Sequence, residues 1–106
     1  MDINQKAKEL ANNIKNTREF KNMNKAKLDL EKNKSMKRKL DNYINKKNDI
    51  YSNYRLEEAS IRINKLNEDH SDFFNLQLVS NYMNATRDFN SMMEKIYKTI
   101  ERELLK

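Results

Sequence analysis

No cysteine, no glycine and no proline occur among the 106 residues. Without cysteine there is no disulfide, no thiolate nucleophile and no Cys-based metal site, and nothing in the chain needs an oxidising compartment. Without glycine there is no phosphate-cradling loop and no glycine-built oxyanion turn. Losing proline as well removes the residues that most often make tight turns and break strands or helices. Long helices joined by short polar links are what such a chain can build.

Long apolar runs are also missing. No stretch approaches the roughly 20 residues of a membrane span, and Met1 to Gln5 opens no apolar segment, so a cytoplasmic location is expected. Hydrophobic residues make up 37% of the chain and charged ones 36%, with a mean hydropathy of −1.12. Values this low raise intrinsic disorder, and the regular spacing of the apolar residues decides against it. The length fits one domain over residues 1–106. A stripe this thin buries little alone, which favours a homo-oligomer.

The helical pattern starts with Asp2 as an N-cap and Gln5 in capping-box position, followed by Ile3, Ala7, Leu10 and Ile14 at helical spacing. Thr17 reads as a second N-cap, and Phe20, Met23, Ala26 and Leu30 continue an apolar face. The pattern slips at residues 33–35, and a third stripe runs Met36, Leu40, Tyr43, Ile50 and Tyr54, with Lys47 in one of its positions. After a link near residues 52–57 come Ala59, Ile63, Leu66, His70 and Phe73. A second helix boundary falls within residues 71–77. Beyond it Leu78, Tyr82, Ala85, Phe89, Met92, Ile96 and Thr99 alternate steps of four and three, with Val79, Met93, Ile100 and Leu104 widening the stripe. The expected fold is an all-α antiparallel bundle of four to five helices with coiled-coil-like packing. It is expected to assemble through the Ala59 to Phe73 and Leu78 to Ile100 stripes. Tyr82, Phe89, Met92 and Met93 are the candidate partner or oligomer anchors, weighed against simple core filling.

The net charge of +6 is uneven, because residues 18–47 hold eleven Lys/Arg against four Asp/Glu. Arg18, Lys25, Lys32, Lys39 and Lys46 recur every seven residues and would line one edge of a continuous helix, an anion-binding face that could track phosphates. The plainer account is a solvated face laced with pairs such as Lys25 with Asp29, Lys27 with Glu31 and Lys37 with Asp41. Tyr43 and Tyr54 fall on the apolar stripe and not beside the lysines, which weakens a stacking platform for nucleic acid. Nucleic-acid binding is therefore the second choice and membrane binding is not expected. Lys34, Lys37, Arg38 and Lys39 would crowd the positive end of a helix starting near residue 34, unless the helix runs through or an anion sits nearby.

Nothing assembles into a catalytic site. His70 is the single histidine, and although Glu68, Asp69 and Asp72 lie close in sequence, no spacing puts two ligands on one helical face. It shares the stripe of Leu66 and Phe73, as a packing residue would. The serines share that one possible base. Neither an enzyme nor a cofactor is expected.

The segments Ala7-Lys8-Glu9-Leu10-Ala11 and Thr17-Arg18-Glu19-Phe20-Lys21 with Ala26, together with the block from Val79 through Tyr82, Ala85 and Phe89 to Asn90, carry a resemblance. With them the chain resembles the bacterial YlbF/YmcA family of small helical regulators, which includes the YheA-like proteins. Many relatives have Asn-Pro shortly before the last block, whereas this chain reads Phe74-Asn75-Leu76-Gln77 and lacks the proline-marked helix start. The resemblance implies a non-enzymatic protein that self-associates and joins related small helical regulators. In that family's best-known members the complex acts on an endoribonuclease, and through messenger-RNA processing on competence, sporulation and biofilm formation. Some members carry an iron-sulfur cofactor on a cysteine-bearing tail. With no cysteine here, that cofactor is not carried over.

Overall fold

A computed structural model of the protein describes residues 2–106, and among these there are helices and no strand. The helices are α1 (Ile3–Lys15), α2 (Arg18–Glu31), α3 (Lys34–Asn53), α4 (Leu56–Asp69), the single turn α5 (Ser71–Phe74) and α6 (Gln77–Leu104). Five long helices match the expected number, and α5 is an additional turn inside the boundary left open at residues 71–77.

Side-chain oxygens set three of the helix starts. Asp2 accepts from the Asn4 amide at 2.9 Å, Thr17 Oγ1 from Phe20 at 3.2 Å, and Asn33 from Met36 at 3.1 Å. Each satisfies a backbone donor that the first helical turn leaves orphaned. Thr17 also donates its hydroxyl to the Ile14 carbonyl at 2.6 Å, so one side chain closes α1 and opens α2. The slip at residues 33–35 is a true break: α2 ends at Glu31 and α3 starts at Lys34.

The chain divides into two compact units. One holds the chain up to Lys27 together with Asn81–Lys106, and the other holds Leu28–Ser80. The eight hydrophobics buried among the described residues all lie in the second: Leu30, Leu40, Tyr43, Ala59, Ile63, Leu66, Phe73 and Val79, with Leu30 and Val79 at 0% exposure. Its centre is the α3–α4 pair. Tyr54 at the end of α3 meets Arg62 early in α4, while Tyr43 meets Asn67 further on, so the two helices run antiparallel. The Tyr43 hydroxyl donates to Asn67 Oδ1 at 2.6 Å, and its ring stands edge-on to Phe74 at 4.8 Å. Burial, with a smaller contribution from Tyr51, pushes the Tyr43 phenol above its ordinary value. One expectation is corrected by this packing. The Ala59 to Phe73 stripe is consumed inside the unit, with His70 alone half-buried, and is not free to assemble protomers.

The other unit is built differently. It comprises α1, the first part of α2 and most of α6, and among its described residues none is buried. Phe20 of α2 and Phe89 of α6 meet edge to face, with centroids 5.9 Å apart.

Candidate interaction surface

The α1 and α6 helices carry regular apolar stripes that their own unit leaves partly or wholly in solvent. On α6 the main stripe, Tyr82, Ala85, Phe89, Met92 and Ile96, is half-buried, and Phe89 is the member fixed by an aromatic contact. On α1, Ile3, Ala7 and Leu10 are exposed and Ile14 is half-buried. A half-buried aromatic or thioether side chain, flanked by exposed polar residues, has the chemistry of an interface anchor. Tyr82, Phe89, Met92 and Met93 are all half-buried.

Alongside that stripe runs another, shifted by one residue. Met93, Tyr97, Ile100 and Leu104 follow each other at steps of four, three and four, and Asn90 precedes Met93 by three. Tyr97 is 62% exposed, Ile100 44% and Leu104 79%. The sequence reading folds Met93, Ile100 and Leu104 into one broad stripe and leaves Tyr97 out. The spacing of Tyr97 from Met93 and Ile100 is the signal that identifies it. Further back on α6, Thr86 Oγ1 is a buried side-chain oxygen with no hydrogen-bond partner.

The five cations spaced by sevens do not share a helix. Arg18 and Lys25 lie on α2, Lys32 in the link, and Lys39 and Lys46 on α3, so the continuous edge that the spacing suggested is broken at Lys32 and Asn33. The cause is the Asn33 cap, which diverts the backbone into an extended conformation before α3 begins. All five are exposed. Lys32 pairs with Asp29 at 3.7 Å and Lys37 with Asp41 at 3.4 Å, both surface pairs worth a few tenths of a kcal/mol. Of the three ion pairs expected, Lys37 with Asp41 is therefore formed, while Asp29 is engaged by Lys32.

In the Leu28–Ser80 unit an open groove of about 380 Å³ lies between α3 and α4. Its apolar floor includes Ile50 and Leu66, and its rim mixes Lys46 and Lys65 with Asp49 and Asp69. The Arg62 guanidinium stacks on the Tyr54 ring at 4.0 Å and bonds Glu58 at 3.0 Å. With both charge signs around it, the groove selects no ligand class.

His70 Nδ1 lies 2.8 Å from the Leu66 carbonyl, which makes this nitrogen the proton donor, and its ring leans on Tyr43 and Phe74. The contacts account for it as a packing residue at the end of α4. Among the described residues, no group of three or more acidic or histidine side chains is placed to hold a metal ion. No described helix is long and apolar enough to cross a membrane.

A family model described as control of competence regulator ComK, YlbF/YmcA, matches residues 3–104, nearly the whole chain. The chain belongs to the YlbF/YmcA family. The match runs through all six helices and includes both units. The family's description is that of a regulator. No curated protein and no solved structure matches the chain.

Proposed function

We propose that the protein is a non-enzymatic regulatory adaptor of the cytoplasm, which self-associates and binds protein partners through the apolar surfaces of α1 and α6. The observation that carries this reading is the uneven distribution of burial. One unit encloses eight hydrophobic side chains, while the other, with equally regular stripes, encloses none among its described residues. A face of that kind gains free energy when covered, at about 25 cal/mol per Å² of apolar area removed from water. The anchors are Tyr82, Phe89, Met92 and Met93, and the charged rim of α6 sets orientation.

The partners we propose are copies of the chain, related small helical regulators, and an endoribonuclease whose messenger-RNA processing the assembly steers. The outputs would be those of competence, sporulation and biofilm formation. Support comes from the family's regulatory description and from the bare helical faces. Nucleic-acid binding through Arg18, Lys25, Lys32, Lys39 and Lys46 has less support, since the helix break removes the straight edge that would track a phosphate backbone.

The test is affinity capture of the tagged protein from its native lysate with and without nuclease, read by mass spectrometry. Nuclease-resistant recovery of small helical regulators or a ribonuclease is expected. Recovery that collapses with nuclease or moderate salt would replace the adaptor by a nucleic-acid-binding protein. In parallel, Phe89→Ala should leave the helical circular dichroism in place and lower the sedimentation coefficient. Global unfolding would make Phe89 a core residue instead.

A further inference from the structure

The stripe formed by Asn90, Met93, Tyr97, Ile100 and Leu104 has a specific occupant. We infer that it pairs with the same stripe of a second copy, the two α6 helices lying parallel and in register with Asn90 beside Asn90. This inference rests on the self-association proposed above and adds the surface, direction and register.

Spacing makes the stripe a heptad seam of its own. From Asn90 to Leu104 it spans about 21 Å at 1.5 Å per residue. Steps of three and four keep it on one side of α6, the geometry that lets knobs enter the holes of a facing helix. Its exposed members, Tyr97, Ile100 and Leu104, are large apolar side chains in consecutive seam positions, not single hydrophobics scattered over a surface.

Direction follows from the flanks. Glu94 and Glu101 stand on the same side of the seam, each one residue past Met93 or Ile100. In an antiparallel pair centred between Tyr97 and Ile100, Glu94 of one helix would face Glu101 of the other, a like-charge contact. Such a pair would also leave Asn90 beyond the end of the facing seam. In a parallel pair each glutamate instead flanks Phe89 or Ile96 of the other copy, and no like charges meet across the seam. Asn90 then bonds its own counterpart. A polar amide at one seam position is the usual device for fixing register, because any slip leaves it unpaired among apolar side chains.

Because the protein has no cysteine, single-cysteine variants report this geometry without background. Met93→Cys and Ile100→Cys each bring like positions within the 4.4–6.8 Å Cα separation that a disulfide needs, if the helices are parallel and in register. Lys95→Cys, on the far side of α6, is the control. Both seam variants should form disulfide-linked dimers at least about tenfold faster than the control under mild oxidation. Three results would overturn the inference. If neither crosslinks faster than the control while the wild-type protein sediments as an oligomer, the seam is wrong but self-association stands. If only a mixture of Met93→Cys and Leu104→Cys crosslinks, the helices are antiparallel. A wild-type protein that sediments as a monomer at every concentration removes this inference and the self-association beneath it.

Discussion

Removing one oxygen atom from Tyr43 tests the α3–α4 pairing most directly. Tyr43→Phe keeps the ring against Phe74 and His70 and deletes only the hydroxyl that donates to Asn67 at 2.6 Å. A hydrogen bond of this kind contributes about 0.5–1.5 kcal/mol net. Asn67 is half-buried, so water can reach its abandoned oxygen and the full penalty of a dry, unpaired acceptor does not apply. The variant should therefore lose about 1 kcal/mol at pH 7 and roughly 4–8 °C in Tm. Asn67→Ala should lose a similar amount, and the double variant little more than either, giving a coupling of about 1 kcal/mol in urea titrations followed by circular dichroism.

The same residue makes a pH statement. Its folded phenol holds the proton more tightly than the ordinary value of 10.0, chiefly through burial. The stability this gives is complete below that ordinary value and is lost as the pH rises through the raised folded value. Phenylalanine has no proton to lose, so the deficit of Tyr43→Phe should shrink above pH 10. A deficit that stays constant from pH 7 to alkaline conditions, or a variant as stable as wild type at pH 7, would refute this account of Tyr43.

Other outcomes follow from single side chains. Thr17→Ala removes an oxygen that both caps α2 and bonds the end of α1, and should cost about 1 kcal/mol by thermal melting, where Thr17→Ser should cost much less. Thr86→Val replaces a buried hydroxyl without a partner by a methyl group of the same shape, and should raise Tm, since such a group costs about 1–3 kcal/mol. Leu30→Ala empties a fully buried site and should destabilise by about 2–5 kcal/mol independently of protein concentration. Phe89→Ala, on the uncovered unit, should show an effect that grows as the protein is diluted.

Helix boundaries were legible wherever a side-chain oxygen makes them. Asp2 and Thr17 could be read as caps, and the slip before Met36 marked the end of α2, because capping and periodicity are local properties. The turn α5 was not legible, since Ser71–Phe74 has no glycine or proline beside it and its apolar residues continue the α4 spacing. Periodicity also fails to say which stripe is covered. Ala59, Ile63, Leu66 and Phe73 look like the stripe of α6 in sequence, yet the first set is buried and the second is half open. Coverage depends on which other helix arrives, a property of the whole chain. The lysine ladder misled for a related reason: a repeat of seven has meaning only while the helix continues.

The links between helices have a thermodynamic side. Asn16, Asn33, Tyr54, Arg55, His70 and Asn75 turn the chain with negative φ throughout, and no described residue has a positive one. None of these corners needs the freedom of glycine, and none has it. Each glycine avoided at a corner that an ordinary residue can fill leaves the unfolded chain with fewer conformations to surrender, worth about 0.4–1 kcal/mol per position. With eight hydrophobic side chains enclosed among the described residues, a stiffer unfolded state offsets part of what a larger core would otherwise have to supply.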